Sequence, residues 1–267
     1  MTRVQDIYPD DRVSLREVGL RDGLQLVKTF PSTAAKQRWM RQEYGAGVRH
    51  FEVGSFLPAT TFPQFADVRH IVRTLAELPG AHGIALALNE RGVNEAAAIS
   101  MALGCSITGP VAPNEVIKLV EKCLEAGVDF VAIADTVGYA GPKQVAELTR
   151  AAAKISGAKP VCVHLHDTRG MGIANASAAL DAGARILDGS LGGLGGCPFA
   201  PGATGNVVFE DLVFLCESQG FDTGIDIEKL VEVRSILRLE MPGEPLYGGL
   251  ARAGLPGGAG ERAVRSG

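Results

Sequence analysis

Seven short apolar runs, most of them separated by enough chain for a helix, constrain this sequence more than any other feature. They are RVSLREVG (12–19), VRHFEVG (48–54), GIALAL (83–88), AISMAL (98–103), VDFVAIA (128–134), PVCVHLH (160–166) and ARILDGS (184–190). Strand–helix alternation of this kind specifies a parallel sheet, open or closed. The helix starts are marked. Ser32 stands at an N-cap position, Pro113 lies near one start, and Pro142 opens a helix that Gly157 stops. Asn206 and Asp226 are N-cap candidates for two late helices.

Polar residues decide between an open and a closed sheet. Arg21 and Asp22 follow the first run, Glu52 lies near the end of the second, and Asp135 follows the fifth. His164 and His166 end the sixth, and the glycine-rich stretch SLGGLGGCPFAPGATGN (190–206) follows the seventh. Reactive side chains at the C-terminal ends of many strands mark a barrel. An open doubly wound sheet concentrates its site behind a GxGxxG turn, whereas here the first run leads into LRDGLQ. The expected class is α/β, a TIM-type (β/α)8 barrel, and an incomplete one, with seven strands. Only about ten residues separate GIALAL from AISMAL, and a parallel crossover needs about a dozen or more. Alternatively, 91–104 reads as one helix rich in Ala, Glu, Met and Leu. On either reading one unit, the fourth strand and helix, is missing between residues 88 and 98. Residues 1–240 read as the barrel, and 241–267 as a Gly- and Pro-rich tail with one short helix.

Composition excludes several classes. The 267 residues carry a net charge of −4, which offers no basic field for nucleic acid. No run of about 18 uncharged apolar residues is present to span a membrane, and the N-terminus carries no apolar leader. The five cysteines are widely spaced and form no CxxC, against a disulfide framework or a zinc knot and in favour of a reducing cytoplasm.

Three local patterns carry chemistry. Residues two apart on a strand point the same way, so His164 and His166 share a face and could share a metal; two buried, hydrogen-bonded histidines are the alternative. Asp22 could add an anionic ligand, leaving positions open for water and substrate, or be a turn aspartate before Gly23. Arg21 presents a planar fork to an anion, or pairs with Glu52 across the barrel; the two roles can coexist. Asp135 is either a supporting acid or the cap of a short turn. Asn206 could offer its carbonyl oxygen to a metal, although its place before VVFEDLVFL favours an N-cap. Glycines around Cys197 let a loop bring a thiol to a substrate; a tight turn with an incidental cysteine is the alternative.

Five segments together are more specific: EVGLRDGLQ (17–25), HFEVGSF (50–56), ADTVG (134–138), VHLHDTRGMGIAN (163–175) and GGLGGCPFAPGATGNVVFEDLVFL (192–215). In this order they resemble the 3-hydroxy-3-methylglutaryl-CoA lyase family. The resemblance implies a divalent cation, Mg²⁺ or Mn²⁺, held by Asp22, His164, His166 and Asn206, which reverses the local reading of Asn206. It implies catalytic roles for Arg21, Cys197, Glu52 and Asp135, and substrate contacts from Arg21 and Gln25. The implied reaction is a retro-Claisen cleavage of an acyl-CoA to acetoacetate and acetyl-CoA, with Arg21 stabilising a thioester enolate and Cys197 transferring a proton. The sequence departs from the family at the missing unit, and the strand edges left there predict a homodimer or higher self-association. Two other readings are a Claisen condensation enzyme of the isopropylmalate or citramalate synthase type and a catalytically impaired homologue. The GGLGGCPFAPGATGN loop and the lack of a regulatory domain argue against the first; only the deletion motivates the second.

Overall fold

The computed structural model describes residues 3–9, 11–86, 96–196 and 205–256. Seven strands form one sheet: β1 (Ser14–Glu17), β2 (His50–Ser55), β3 (His82–Leu86), β4 (Ala96–Ile99), β5 (Phe130–Asp135), β6 (Val161–Leu165) and β7 (Ile186–Gly189). All pairings are parallel and the order is β3-β2-β1-β7-β6-β5-β4. The sheet curls into a half-barrel whose two edges are β3 and β4. Only residues 87–95, which lie outside the described residues, connect them. Among the described residues the wall is interrupted beside GIALAL, where the spacing predicts a missing unit.

The helical reading of 91–104 does not hold. Ala96 to Ile99 pair in register with Phe130 to Ile133 of β5. Alanine's helix preference amounts to a few tenths of a kcal/mol per residue, and pairing with a buried strand overrides it. A turn follows, in which Met101 adopts a positive φ of 55° and its N–H donates to Thr136 Oγ1 at 2.9 Å.

The helices are α1 (Arg3–Ile7), α2 (Thr33–Gly45), α3 (Val68–Ala76), α4 (Pro113–Glu125), α5 (Pro142–Ser156), α6 (Gly172–Asp181), α7 (Phe209–Ser218), α8 (Ile227–Glu240) and α9 (Gly249–Ala253). Their signals are read as expected at most ends. Ser32 Oγ accepts from Ala35 N at 3.2 Å, Asp226 Oδ1 accepts from Lys229 N at 3.2 Å, and Gly157 closes α5 with φ 62°. Asn206 is not a cap, because α7 starts at Phe209 with Val208 before it.

Strand alternation sorts the side chains into two cores. Leu15, Phe51, Val53, Val131, Ile133, Val163, Leu165 and Leu187 belong to the large cluster shared with helical residues such as Trp39, Met40 and Phe209. The opposite faces supply a smaller cluster. There Val4 and Tyr8 meet Phe130, Ala132, Cys162 and Ile186 and close the N-terminal end of the strands. Above that plug the interior is polar, with Arg16, Asp188 and His164 on β1, β7 and β6.

Residues 241–256, read from sequence as loose tail, dock on the half-barrel and include the one short helix, α9. Tyr247 N donates to Gly192 O at 2.7 Å, and Asp211 accepts from Gly249 N and Leu250 N at 2.8 and 2.9 Å.

Candidate metal centre

The turn after β1 delivers Asp22. A tight helical turn spans Gly19–Gly23, in which the amides of Arg21, Asp22 and Gly23 all converge on Val18 O at 3.1, 2.8 and 3.2 Å. A Cβ at Gly23 would lie 2.9 Å from Ser190 Oγ, so this close approach needs glycine. His164 and the residue just past β6, His166, point to the same side, with their Nε2 atoms 3.2 Å apart. His166 Nε2 lies 3.8 Å from Asp22 Oδ2. One donor atom from each of Asp22, His164 and His166 lies within 4.8 Å of the others.

Asn206 arrives from the far side of the glycine-rich stretch. It bridges to His166, and Val207 N donates to Leu165 O at 3.1 Å, so this segment runs against the end of β6. Its Nδ2 donates to Asp22 Oδ2 at 2.8 Å and to Leu194 O at 2.9 Å. Its Oδ1 is buried and lacks a hydrogen-bond partner among the described residues. An orphaned carbonyl oxygen beside a carboxylate and two imidazoles is a donor set that a divalent cation would complete.

Arg21 NH1 donates to Asp22 Oδ1 at 2.6 Å, and its Nε is 3.5 Å from Glu52 Oε1. The expected Arg21–Glu52 pair is thus present at the site. Burial is the strongest influence on Glu52 and lifts its carboxyl to about 7, against the opposing charge of Arg21. Burial also acts to raise Asp22, but His164, Arg21, His166 and the Asn206 hydrogen bond together hold it below the usual range. Burial and the neighbouring His164 depress His166 to about 4. A neutral imidazole with a free lone pair is the form that ligates metals.

The other candidates sit differently. The Asp135 carboxylate accepts from Tyr139 N and Ala140 N at 2.9 and 3.0 Å and so caps its own turn, while its backbone carbonyl takes His166 N at 3.3 Å. Gln25 is half-buried beside Asp22, its N–H donating to Asp22 O at 3.1 Å. Cys197 lies outside the described residues. The chain on either side of its segment converges on the site. Gly205, at φ 115°, leaves room for no Cβ against Gly193 O and Gly195 O, and a Cβ on Gly195 would stand 2.5 Å from Asn206 Nδ2.

Sequence reasoning missed two supports. Glu17 Oε1 accepts from Gly19 N at 2.9 Å and Leu191 N at 3.0 Å, tying the Asp22 turn to the base of the glycine-rich stretch. Asp188 Oδ2 accepts from His164 Nδ1 at 3.1 Å. A buried acid within an apolar run is the only local signal for either.

The chain is similar to known proteins over most of its length. The HMGL-like family model matches residues 89–237. A hydroxymethylglutaryl-CoA lyase of Pseudomonas mevalonii is 33% identical over 83% of this chain and 90% of its own. An (R)-citramalyl-CoA lyase of Chloroflexus aurantiacus is 32% identical over 91% and 95%. The solved structure of an HMG-CoA lyase from Acinetobacter baumannii, in complex with coenzyme A and 3-methylmalate, superposes with a TM-score of 0.84 at 29% identity, covering 95% of this chain and 97% of its own. These relatives are carbon–carbon lyases built on a barrel. On the family match and on this identity over most of its length, the chain belongs to the HMGL-like family.

Proposed function

We propose that this protein cleaves 3-hydroxy-3-methylglutaryl-CoA to acetoacetate and acetyl-CoA, or a related 3-hydroxyacyl-CoA to the corresponding carbonyl product and acyl-CoA, in a divalent-metal-dependent retro-Claisen reaction. The observation that carries it is the convergence of Asp22, His164 and His166 with the orphaned Asn206 Oδ1 beside Arg21. These four residues would hold Mg²⁺ or Mn²⁺, which supplies Lewis-acid polarisation of substrate oxygens. Loss of the C3 hydroxyl proton turns that carbon into a ketone as the C2–C3 bond breaks. The electron pair passes to the thioester as an enolate. Arg21, charged at any relevant pH, donates to the enolate oxygen as charge develops there. Glu52, at about 7, is poised to accept or return a proton near neutrality. Cys197 protonates the enolate carbon to give acetyl-CoA, Gln25 contacts substrate, and Asp135 supports the end of the His164–His166 strand.

Four described cysteines are free, in keeping with a reducing cytoplasm. No helix among the described residues is long and apolar enough to cross a membrane. The two open sheet edges favour a homodimer or higher assembly.

The direct test is acetyl-CoA release from 3-hydroxy-3-methylglutaryl-CoA with Mg²⁺, coupled to citrate synthase, with citramalyl-CoA as the competing substrate. Cleavage of the first in preference to the second supports the reading. Cleavage of citramalyl-CoA alone replaces the substrate, and cleavage of neither overturns it.

A further inference from the structure

Three adjacent strands place one residue each at the same level inside the half-barrel. Arg16 of β1 is in register with Asp188 of β7, and Asp188 with His164 of β6. Arg16 grips the carboxylate with both arms of its fork, Nε to Oδ1 at 2.8 Å and NH2 to Oδ2 at 2.7 Å. His164 Nδ1 takes Oδ2 at 3.1 Å, and the Cys162 thiol lies 3.5 Å from Oδ1. The pair is cut off from solvent, with Arg16 and Asp188 side chains only 5% and 4% exposed. Below, the guanidinium stands 5.5 Å over the Phe130 ring, in the apolar plug.

A buried bidentate ion pair has a steep desolvation cost and is weak as a stabilising device. Its chemical effect is more specific. A carboxylate locked in place by a guanidinium can only accept, so His164 must donate through Nδ1. In the neutral imidazole that leaves Nε2 as the lone-pair nitrogen, and Nε2 is the atom facing His166 across 3.2 Å. Among the described residues, Asp188 is the hydrogen-bond partner of Nδ1. The imidazole is thus oriented from within the barrel, and the element that orients it is anchored on a strand that contributes no ligand of its own.

We infer that Arg16 is a positioning residue for the metal centre: acting through Asp188, it fixes the tautomer and ring orientation of His164. This rests on the proposed reading of His164 as a ligand. Outer partners of this kind are worth about 10–100-fold in metal affinity.

The test uses Mn²⁺ as probe on the full chain, followed by electron paramagnetic resonance, with ¹⁵N-histidine shifts of the metal-free protein as a second readout. Arg16→Met alone would strand a buried carboxylate, so the informative variant is Arg16→Met with Asp188→Leu, which removes both charges. It is expected to stay folded, to bind Mn²⁺ about 10–100-fold more weakly, and to release His164 from the Nδ1–H tautomer. Arg16→Lys, which keeps the charge but loses the fork, is expected to fall between it and wild type, and decides the matter if the double variant does not fold. Wild-type Mn²⁺ affinity and an unchanged His164 tautomer in these variants would overturn the inference, while loss of binding in His166→Ala would leave the metal reading standing. A wild-type protein that binds no Mn²⁺ overturns both.

Discussion

Asp22 and His166 meet although 144 positions apart in the chain, and each is brought there by a local rule. The Val18 carbonyl gathers three amides and swings Asp22 inward; strand alternation does the same for the two histidines. These rules were legible in RDG and HLH. The roles of Arg16 and Asp188 were not, because each reads as a lone charge in an apolar run until register pairs them. Asn206 was ambiguous for a related reason. Its position suits a cap, and only the run of Val207 along β6 shows that the helix starts later. For Cys197 the expectation is chemical. Cys197→Ser should slow turnover about 10²–10⁴-fold, the usual loss for a positioned acid or base, while Mn²⁺ affinity stays unchanged. Steady-state kinetics beside a metal titration checks it, and an unaltered rate would leave the thiol without a role in the reaction.

At the scale of elements, a buried acid of α2 feels the charge of another on β1. Glu43 of α2 is fully buried. Burial first, and then the charge of Glu17 on β1, push its carboxyl well above the usual range. Burial likewise lifts Glu17 to about 8, against the hydrogen bonds from Leu191 and Gly19. A carboxyl whose folded value is raised keeps a proton that the unfolded chain releases. Its contribution is complete below the unfolded value of 4.5 and is lost as pH rises toward the folded value, about 8 for Glu17. Glu43→Gln should therefore gain stability relative to wild type as pH rises above 4.5, since the Glu43 carboxyl is itself raised. The difference should vanish at the acid end. Urea unfolding across the window measures it, and a loss of stability that grows with pH would show instead that the carboxylate is needed in its charged form. The strands and most helix ends were legible from periodicity and capping, since those signals are local. The docking of 241–256 was not. It depends on contacts such as Tyr247 with Gly192, between segments 55 positions apart in the chain.

For the whole molecule, the decisive feature is the interrupted wall. Among the described residues β3 and β4 each pair on one side only, leaving N–H and C=O groups that invite another strand. Light scattering after size exclusion should show concentration-dependent association. Inserting a strand–helix unit from a complete relative between residues 88 and 98 should raise the melting temperature and the cleavage rate together, because more chain would cover the same core. A monomeric, highly stable and fully active chain would contradict that view of the gap. The gap itself was legible from spacing alone. The most direct measurement of the central claim is cleavage of 3-hydroxy-3-methylglutaryl-CoA by EDTA-stripped protein as Mn²⁺ is added back. Activity that is absent without metal, returns on titration and is lost in His166→Ala is the predicted result. Cleavage that persists in stripped protein, or that survives His166→Ala at saturating Mn²⁺, would contradict it.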